Sequence, residues 1–275
     1  MEHFIKVTFL AILQGLTEFL PVSSSGHLEL LSSLFKFKNS DSMTLSIMLH
    51  AGSLAAIVVF YFKTLWSLLK KENFRIIGLI ILGSIPAGVF GVTLKVTGYD
   101  EMLASSLPVV GFGFLITATL LRLSNKEKLI QLGPGEAPKK LTEMSWRQAL
   151  TVGVVQAIAI VPGISRSGST ISCGIITGLE REAAATFSFL LALPAIGGAA
   201  LLELISLIKG TSPAGEVFTP AILIWGVCLS AVVSFGALAL LMNFVRKGKL
   251  SWFAWYLNIL GAAVLLYCVM TTVKK

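Results

Sequence analysis

Long apolar stretches constrain this chain more than any other feature. Residues 44–62, 74–94, 185–208, 219–245 and 252–273 each meet or approach the roughly 20 apolar residues that one helical crossing of a bilayer needs. With 55% hydrophobic and 13% charged residues and a mean hydropathy of +0.85, little polar surface remains to clothe a soluble core. The expectation is an all-α polytopic membrane protein forming a single integral domain over 1–275.

The net charge of +8, from 22 basic and 14 acidic residues, would raise nucleic acid as a partner for a soluble protein. Here Lys63, Lys70, Lys71 and Arg75 follow one apolar stretch, and Arg246, Lys247 and Lys249 follow another. Such basic connections mark cytoplasmic loops and argue against nucleic acid. Met1 to Lys6 lack a strongly basic n-region, and Gln14 and Glu18 interrupt the apolar run that follows, so the N-terminus is taken as mature structure. Cys173, Cys228 and Cys268 lie in apolar runs without metal-ligand spacing and are expected to be small packed hydrophobes.

Sliding the chain along itself by 142 residues aligns Gln14 with Gln156, Ser23 with Ser165, Ser25 with Ser167 and Gly26 with Gly168. Ser46 then meets Ser188, and Leu49 meets Leu191. Each half has a polar-interrupted apolar segment followed by three long spans, the order expected of a duplication. Repeat 1 covers about 1–123, a cytoplasmic linker about 124–146, and repeat 2 about 147–275.

Loop charges set the orientation. The loop at 63–75 is basic, the one holding Lys95, Asp100 and Glu101 is weakly acidic, and the one at 122–147 is mostly basic. In the second half 209–218 is nearly uncharged and 246–249 is basic, which leaves Lys274 and Lys275 outside as a minor violation. Equivalent spans then cross in opposite directions, an inverted-topology repeat of about six full transmembrane helices. The leading segments at 4–37 and 146–179 become re-entrant helical hairpins. They break at Pro21-Val22-Ser23-Ser24-Ser25-Gly26 and at Pro162-Gly163-Ile164-Ser165-Arg166-Ser167-Gly168. Irregular backbone at membrane depth survives only inside protein or beside an aqueous cavity. The two tips are therefore expected to meet near the midplane, where helix N-termini and hydroxyls make an anion site.

Glu18 follows Gln14 by one helical turn and precedes His27, while Arg166 occupies the matching break of the other half. An ionisable group at membrane depth costs roughly 2.5–3.5 kcal/mol on insertion scales, so such groups need partners or a purpose. A structural ion pair between Glu18 and Arg166 is the plain reading. Ser23, Ser24, Ser25, Ser165, Ser167, Ser169 and Thr170 supply far more donors than one pair needs, and a guanidinium fork among hydroxyls suits phosphate. His50 is expected to pack as a hydrogen-bonded histidine or to face the same cavity. Asn258 and Glu203 are assigned to helix contacts or the interface, Gly83, Gly88, Gly91, Gly111 and Gly113 to close helix packing, and Trp252 and Trp255 to interfacial anchoring.

The run from Gln14 to His27 resembles the first motif of the undecaprenyl-diphosphate phosphatases associated with bacitracin resistance, and Pro162 to Thr170 resembles their second. The resemblance extends over the whole chain. It implies hydrolysis of undecaprenyl diphosphate to the monophosphate carrier of bacterial cell-wall synthesis, in the bacterial plasma membrane, at a site opening to the extracytoplasmic face. It also implies a divalent cation, Mg²⁺ or Ca²⁺, held mainly by substrate phosphates with Glu18 nearby. Family members often carry Glu at the position of Gln14; a neutral amide is a weaker ligand and no base, so Gln14 becomes a positioning residue. Implied catalytic residues are Glu18, Ser24, His27 and Arg166, and implied substrate-binding residues are Gln14, Ser23, Ser25, Ser165, Ser167, Ser169 and Thr170. Ser24 and a metal-activated water both stand as nucleophile, with His27 as base or acid for either. The partners are the polyprenyl diphosphate and membrane lipid, and a homodimer is left open.

Inverted repeats with broken helices also serve transporters, so a flippase of a phosphorylated lipid is the competing function. Ser24-Ser25-Gly26-His27 echoes the type 2 phosphatidic acid phosphatases, but no His follows Ser165-Arg166. A mere scaffold would leave the buried ionisable groups without a purpose.

Overall fold

A computed structural model describes residues 2–35, 43–99, 103, 106–126, 130, 132, 136–209 and 219–273. Asp100, Glu101, residues 36–37 and 210–218, Lys274, Lys275 and the side chain of Glu203, each given an expectation above, lie outside the described residues. The first half holds α1 (Glu2–Phe19), α2 (Ser24–Phe35), α3 (Met43–Phe60), α4 (Phe62–Leu68), α5 (Phe74–Thr97) and α6 (Leu107–Leu123). The second holds α7 (Trp146–Ile158), α8 (Arg166–Ile176), α9 (Arg181–Ile208), α10 (Pro220–Arg246) and α11 (Ser251–Val273). The described chain is helical apart from short connections, as a chain without lipid-exposed sheet edges must be.

The stretches Lys71–Thr97, Arg181–Leu201, Pro220–Arg246 and Ser251–Thr271 are long and apolar enough to cross a bilayer. The protein is thus a multi-pass membrane protein. The apolar stretch at 44–62 is carried by α3, and at its end the chain bends by 73° into α4. Tyr61 sits at the break with its ring against Phe60 and Phe189 and its hydroxyl donating to Met242 Sδ at 3.4 Å. Drawing that ring into the core turns the chain there. The sixth apolar element, α6, has 17 residues, the short end of what can span.

The halves share an element order, and their packing is exchanged between them. α1 lies against α10, and its counterpart α7 lies against α5; α3 packs on α10 as α9 packs on α5. α6 meets α11, and α3 meets α9, each pairing an element with its own counterpart. One continuous core draws on both halves, including Phe19, Ile57, Phe114, Phe187, Leu241 and Leu257.

Glycines permit the closest approaches. A Cβ on Gly153 of α7 would lie 2.2 Å from the Gly83 carbonyl oxygen of α5, and one on Gly113 of α6 would lie 2.6 Å from the backbone of Pro162 and Gly163. Gly111 meets Leu265 in the same way. Gly88 and Gly91 do not act so: Gly88 lies on an exposed face where a Cβ meets no described atom within 4 Å, and a Cβ on Gly91 meets the tip of Ile160 at 3.6 Å, an ordinary contact. Cys173 is buried as expected, but Cys228 is exposed. Asn258 turns back to the Ala254 carbonyl of its own helix at 2.6 Å, and Trp252 and Trp255 are exposed.

Candidate active site

Both hairpins are built alike. α1 ends at Phe19, and after a short turn Ser23 caps α2 by accepting the Gly26 N–H on its Oγ at 3.3 Å. In the second hairpin Ser165 caps α8 by accepting the Gly168 N–H at 3.1 Å. Each cap satisfies an otherwise orphaned amide and fixes where its helix begins. Ser23 holds a left-handed backbone conformation with φ of 69° and Gly163 one with φ of 88°. A serine there is strained, and such strain concentrates at functional sites.

The two tips meet. A Cβ on Gly26 would lie 2.9 Å from Gly163 Cα, and one on Gly168 would lie 3.0 Å from Pro21. Ser167 Oγ donates to the Leu20 carbonyl at 3.4 Å, and the Ser165 N–H donates to Thr117 Oγ1 on α6 at 2.9 Å. Without those glycines the backbones could not approach closely enough for side chains of the two halves to join.

Glu18 is the centre of what they form. Its Oε1 accepts from Arg166 Nη2 at 2.7 Å, while Oε2 accepts from Ser24 Oγ at 2.8 Å and from Gln14 Nε2 at 3.1 Å. His50 Nε2 lies 3.9 Å from the same oxygen. The carboxylate side chain is 8% exposed and the Arg166 side chain 15%, so the pair sits in a setting where each charge needs the other. Arg166 Nη1 is buried and has no hydrogen-bond partner among the described residues. Half of the guanidinium fork is therefore committed to Glu18 and half is open.

His27 lies apart from Ser24's hydrogen bond. Its Nδ1 is 2.8 Å from the Ser23 carbonyl, which can only accept, so Nδ1 carries the proton. Its Nε2 meets the Tyr256 hydroxyl of α11 at 2.6 Å, with the two rings stacked. Ser24 Oγ thus faces Glu18 rather than His27. Among the remaining hydroxyls, Ser165 and Ser167 pair at 3.2 Å and Thr170 bonds Ser188 at 2.6 Å and the Arg166 carbonyl at 2.7 Å. Ser25 is exposed, 3.4 Å from Ser23 Oγ, and Ser169 is buried without a partner.

Thr117, Ser188 and Tyr256 join the site without having been singled out for it from sequence. A hydroxyl in an apolar helix is silent in sequence because it can satisfy itself on its own backbone, as Thr117 also does on the Gly113 carbonyl at 3.0 Å. Tyr256 follows Trp255 and has the look of one more interfacial aromatic.

Among the described residues no group of three or more His, Cys, Asp or Glu side chains comes together to hold a metal. One carboxylate with amide and imidazole neighbours fits an ion carried chiefly by a ligand's phosphates, the usual manner of Mg²⁺.

The model of the bacitracin resistance protein BacA matches residues 7–263, nearly the whole chain. The chain belongs to the BacA family. Relatives described as undecaprenyl-diphosphatase include those of Halothermothrix orenii, 42% identical over 97% of this chain and 98% of the relative, and of Rhodopirellula baltica, 42% identical over the same shares. The protein of Carboxydothermus hydrogenoformans is 39% identical over 94% of this chain and 95% of its own. The family match takes in both hairpins of this BacA-family chain, so the cluster around Glu18 and Arg166 lies within the shared region.

Proposed function

We infer that this protein hydrolyses undecaprenyl diphosphate to undecaprenyl phosphate and inorganic phosphate, recycling the lipid carrier of cell-wall synthesis and conferring bacitracin resistance. The observation that carries the reading is Glu18 joined to both Ser24 and Arg166, with one guanidinium nitrogen left open. An unsatisfied guanidinium nitrogen inside a membrane protein is costly unless a ligand answers it.

In the proposed reaction the prenyl tail stays in the bilayer and the diphosphate is taken up beside Glu18, Ser24 and Arg166, where the hairpin tips meet. Arg166 and the starts of α2 and α8 hold the terminal phosphoryl oxygens. Ser24 Oγ attacks the terminal phosphorus and passes its proton to Glu18 Oε2. The bridging P–O bond breaks and the lipid monophosphate leaves. Water then cleaves the phosphoseryl ester, releasing inorganic phosphate and restoring Ser24, so one water is consumed overall. Ser24 is preferred to a free water because its proton already faces the carboxylate. His27, held by Ser23 and Tyr256, is assigned to take the proton of the attacking water on Nε2, while Glu18 returns its proton to Ser24 Oγ. Phosphoryl transfer rests on positioning and charge stabilisation, which these groups supply. A divalent cation, Mg²⁺ or Ca²⁺, bound by substrate phosphates beside Glu18 would add charge neutralisation.

The hairpins are proposed to enter the bacterial inner membrane from opposite faces, with the site opening to the extracytoplasmic side; loop charges support this sidedness. The test is phosphate release from undecaprenyl diphosphate by purified protein, with and without EDTA. Turnover is expected to require the cation and to fall at least about 100-fold in Ser24→Ala. Near-full turnover in Ser24→Ala would hand the attack to water, and substrate binding without any release would make the protein a lipid transporter.

A further inference from the structure

The second hairpin holds four buried side chains with polar atoms that have no hydrogen-bond partner among the described residues. They are Gln156 with both amide atoms, Ser169, Ser172 and the Nη1 of Arg166. Gln156 is 2% exposed and Ser169 1%. Native proteins leave few such atoms, and here they are concentrated on the helices that carry the phosphate-binding arginine.

The geometry of the hairpin gathers them. Arg166 and Ser169 are one turn apart on α8, with Ser172 a turn further. Gln148 Nε2 donates to the Thr177 carbonyl at 2.7 Å and so pins the base of α7 to the end of α8. Advancing equally from both ends of that bond brings Gln156 on α7 level with Ser169 on α8.

The repeat explains why Gln156 is left over. Its counterpart Gln14 spends its amide N–H on Glu18. Ile160 stands where the second half would need the equivalent carboxylate. Gln156 thus keeps the buried amide of the first half without the acid that occupies it. Residues 146–176 contain no Asp or Glu. A guanidinium, two hydroxyls and an amide, at the start of a helix and without a carboxylate of their own, favour an oxyanion over a cation.

We propose that Gln156 is a further phosphate ligand, gripping together with Arg166 and Ser169 the phosphoryl group that is transferred and then released as inorganic phosphate. This rests on the phosphatase reading above. Gln156 lies outside both motifs that carry the resemblance to known phosphatases, and its amide has no hydrogen-bond partner among the described residues.

The test is Gln156→Leu in the full-length protein, measured for thermal stability in detergent, for kcat/KM on undecaprenyl diphosphate, and for the rise in melting temperature caused by inorganic phosphate. A buried amide kept for a ligand destabilises the empty fold, so its removal is expected to raise the melting temperature. The same change is expected to lower kcat/KM about tenfold, the loss of one phosphate hydrogen bond, and to shrink the phosphate-induced rise. Ser169→Ala is expected to lower kcat/KM in the same direction. A lowered melting temperature in both Gln156→Leu and Gln156→Met would mean that the amide supports the fold, and would overturn the proposal. Unchanged kcat/KM and an unchanged phosphate response in Gln156→Leu would overturn it too. Arg166→Ala, run in parallel, separates the two levels. If it retains turnover, the phosphatase mechanism itself fails; if it is inactive while Gln156→Leu is not, only the role of Gln156 fails.

Discussion

Replacing Arg166 by Met removes the guanidinium from Glu18 and keeps most of the side-chain volume. The carboxylate, 8% exposed, would then keep Ser24 and Gln14 as hydrogen-bond donors but lose its guanidinium. Removing one partner of a buried pair costs about 3–5 kcal/mol, because the other charge is left uncompensated. At about 2–4 °C per kcal/mol for a chain of this size, the melting temperature should fall by about 6–20 °C. Neutralising the survivor should reverse much of this: Glu18→Gln/Arg166→Met is expected to regain at least ~2 kcal/mol over the sum of the single changes, a positive coupling. Activity should behave differently. Both single variants and the double variant are expected to lose at least about 100-fold in kcat, since each lacks a group that acts on developing charge. The assay is a thermal-melt cycle in detergent beside phosphate release. Strictly additive melting shifts would show that the two charges are not coupled. Recovery of turnover together with stability in the double variant would refute the catalytic reading and leave a structural ion pair.

Tyr256→Phe removes the hydroxyl 2.6 Å from His27 Nε2. Steady-state kinetics should show kcat lower by about tenfold with KM nearly unchanged, and ¹⁵N-histidine spectra should show the His27 Nε2 resonance shifted by the lost hydrogen bond while the proton stays on Nδ1; no change in either would remove Tyr256 from the site. Gly163→Ala combines a φ of 88° with a Cβ that would lie 2.2 Å from the Val110 carbonyl oxygen. Strain and overpacking together predict a loss of about 2–6 kcal/mol, seen as a lower melting temperature and loss of turnover as the hairpin tips part. A melting shift within error would contradict the backbone packing at the tips.

Much of this protein was legible from sequence because lipid leaves few options. Apolar stretches of bilayer length must be helices, and polar breaks within such stretches must be sheltered by protein. Gln14 and Glu18 could be set one turn apart on a helix by spacing alone, since helix faces are local matters. Contacts between remote helices were not local. The bend at Tyr61 depends on Phe189 and Met242, and Thr117 and Tyr256 reach the hairpins from α6 and α11. Nothing near those residues in the chain announces such partners.

The sequence by itself determined an all-helical membrane chain of two like halves, each with a broken hairpin rich in hydroxyls, and brought Glu18 and Arg166 forward as charges that lipid would not tolerate unpaired. Tertiary structure alone decided how they pair. It set Ser24 on the carboxylate rather than on His27, turned His27 toward Tyr256, and left Gln156 with nothing to hold. Helix periodicity and hydropathy act over a few residues and can be read along the chain. Which donor meets which acceptor depends on backbones brought together at Gly26, Gly113 and Gly163, and on the directions that packing then allows.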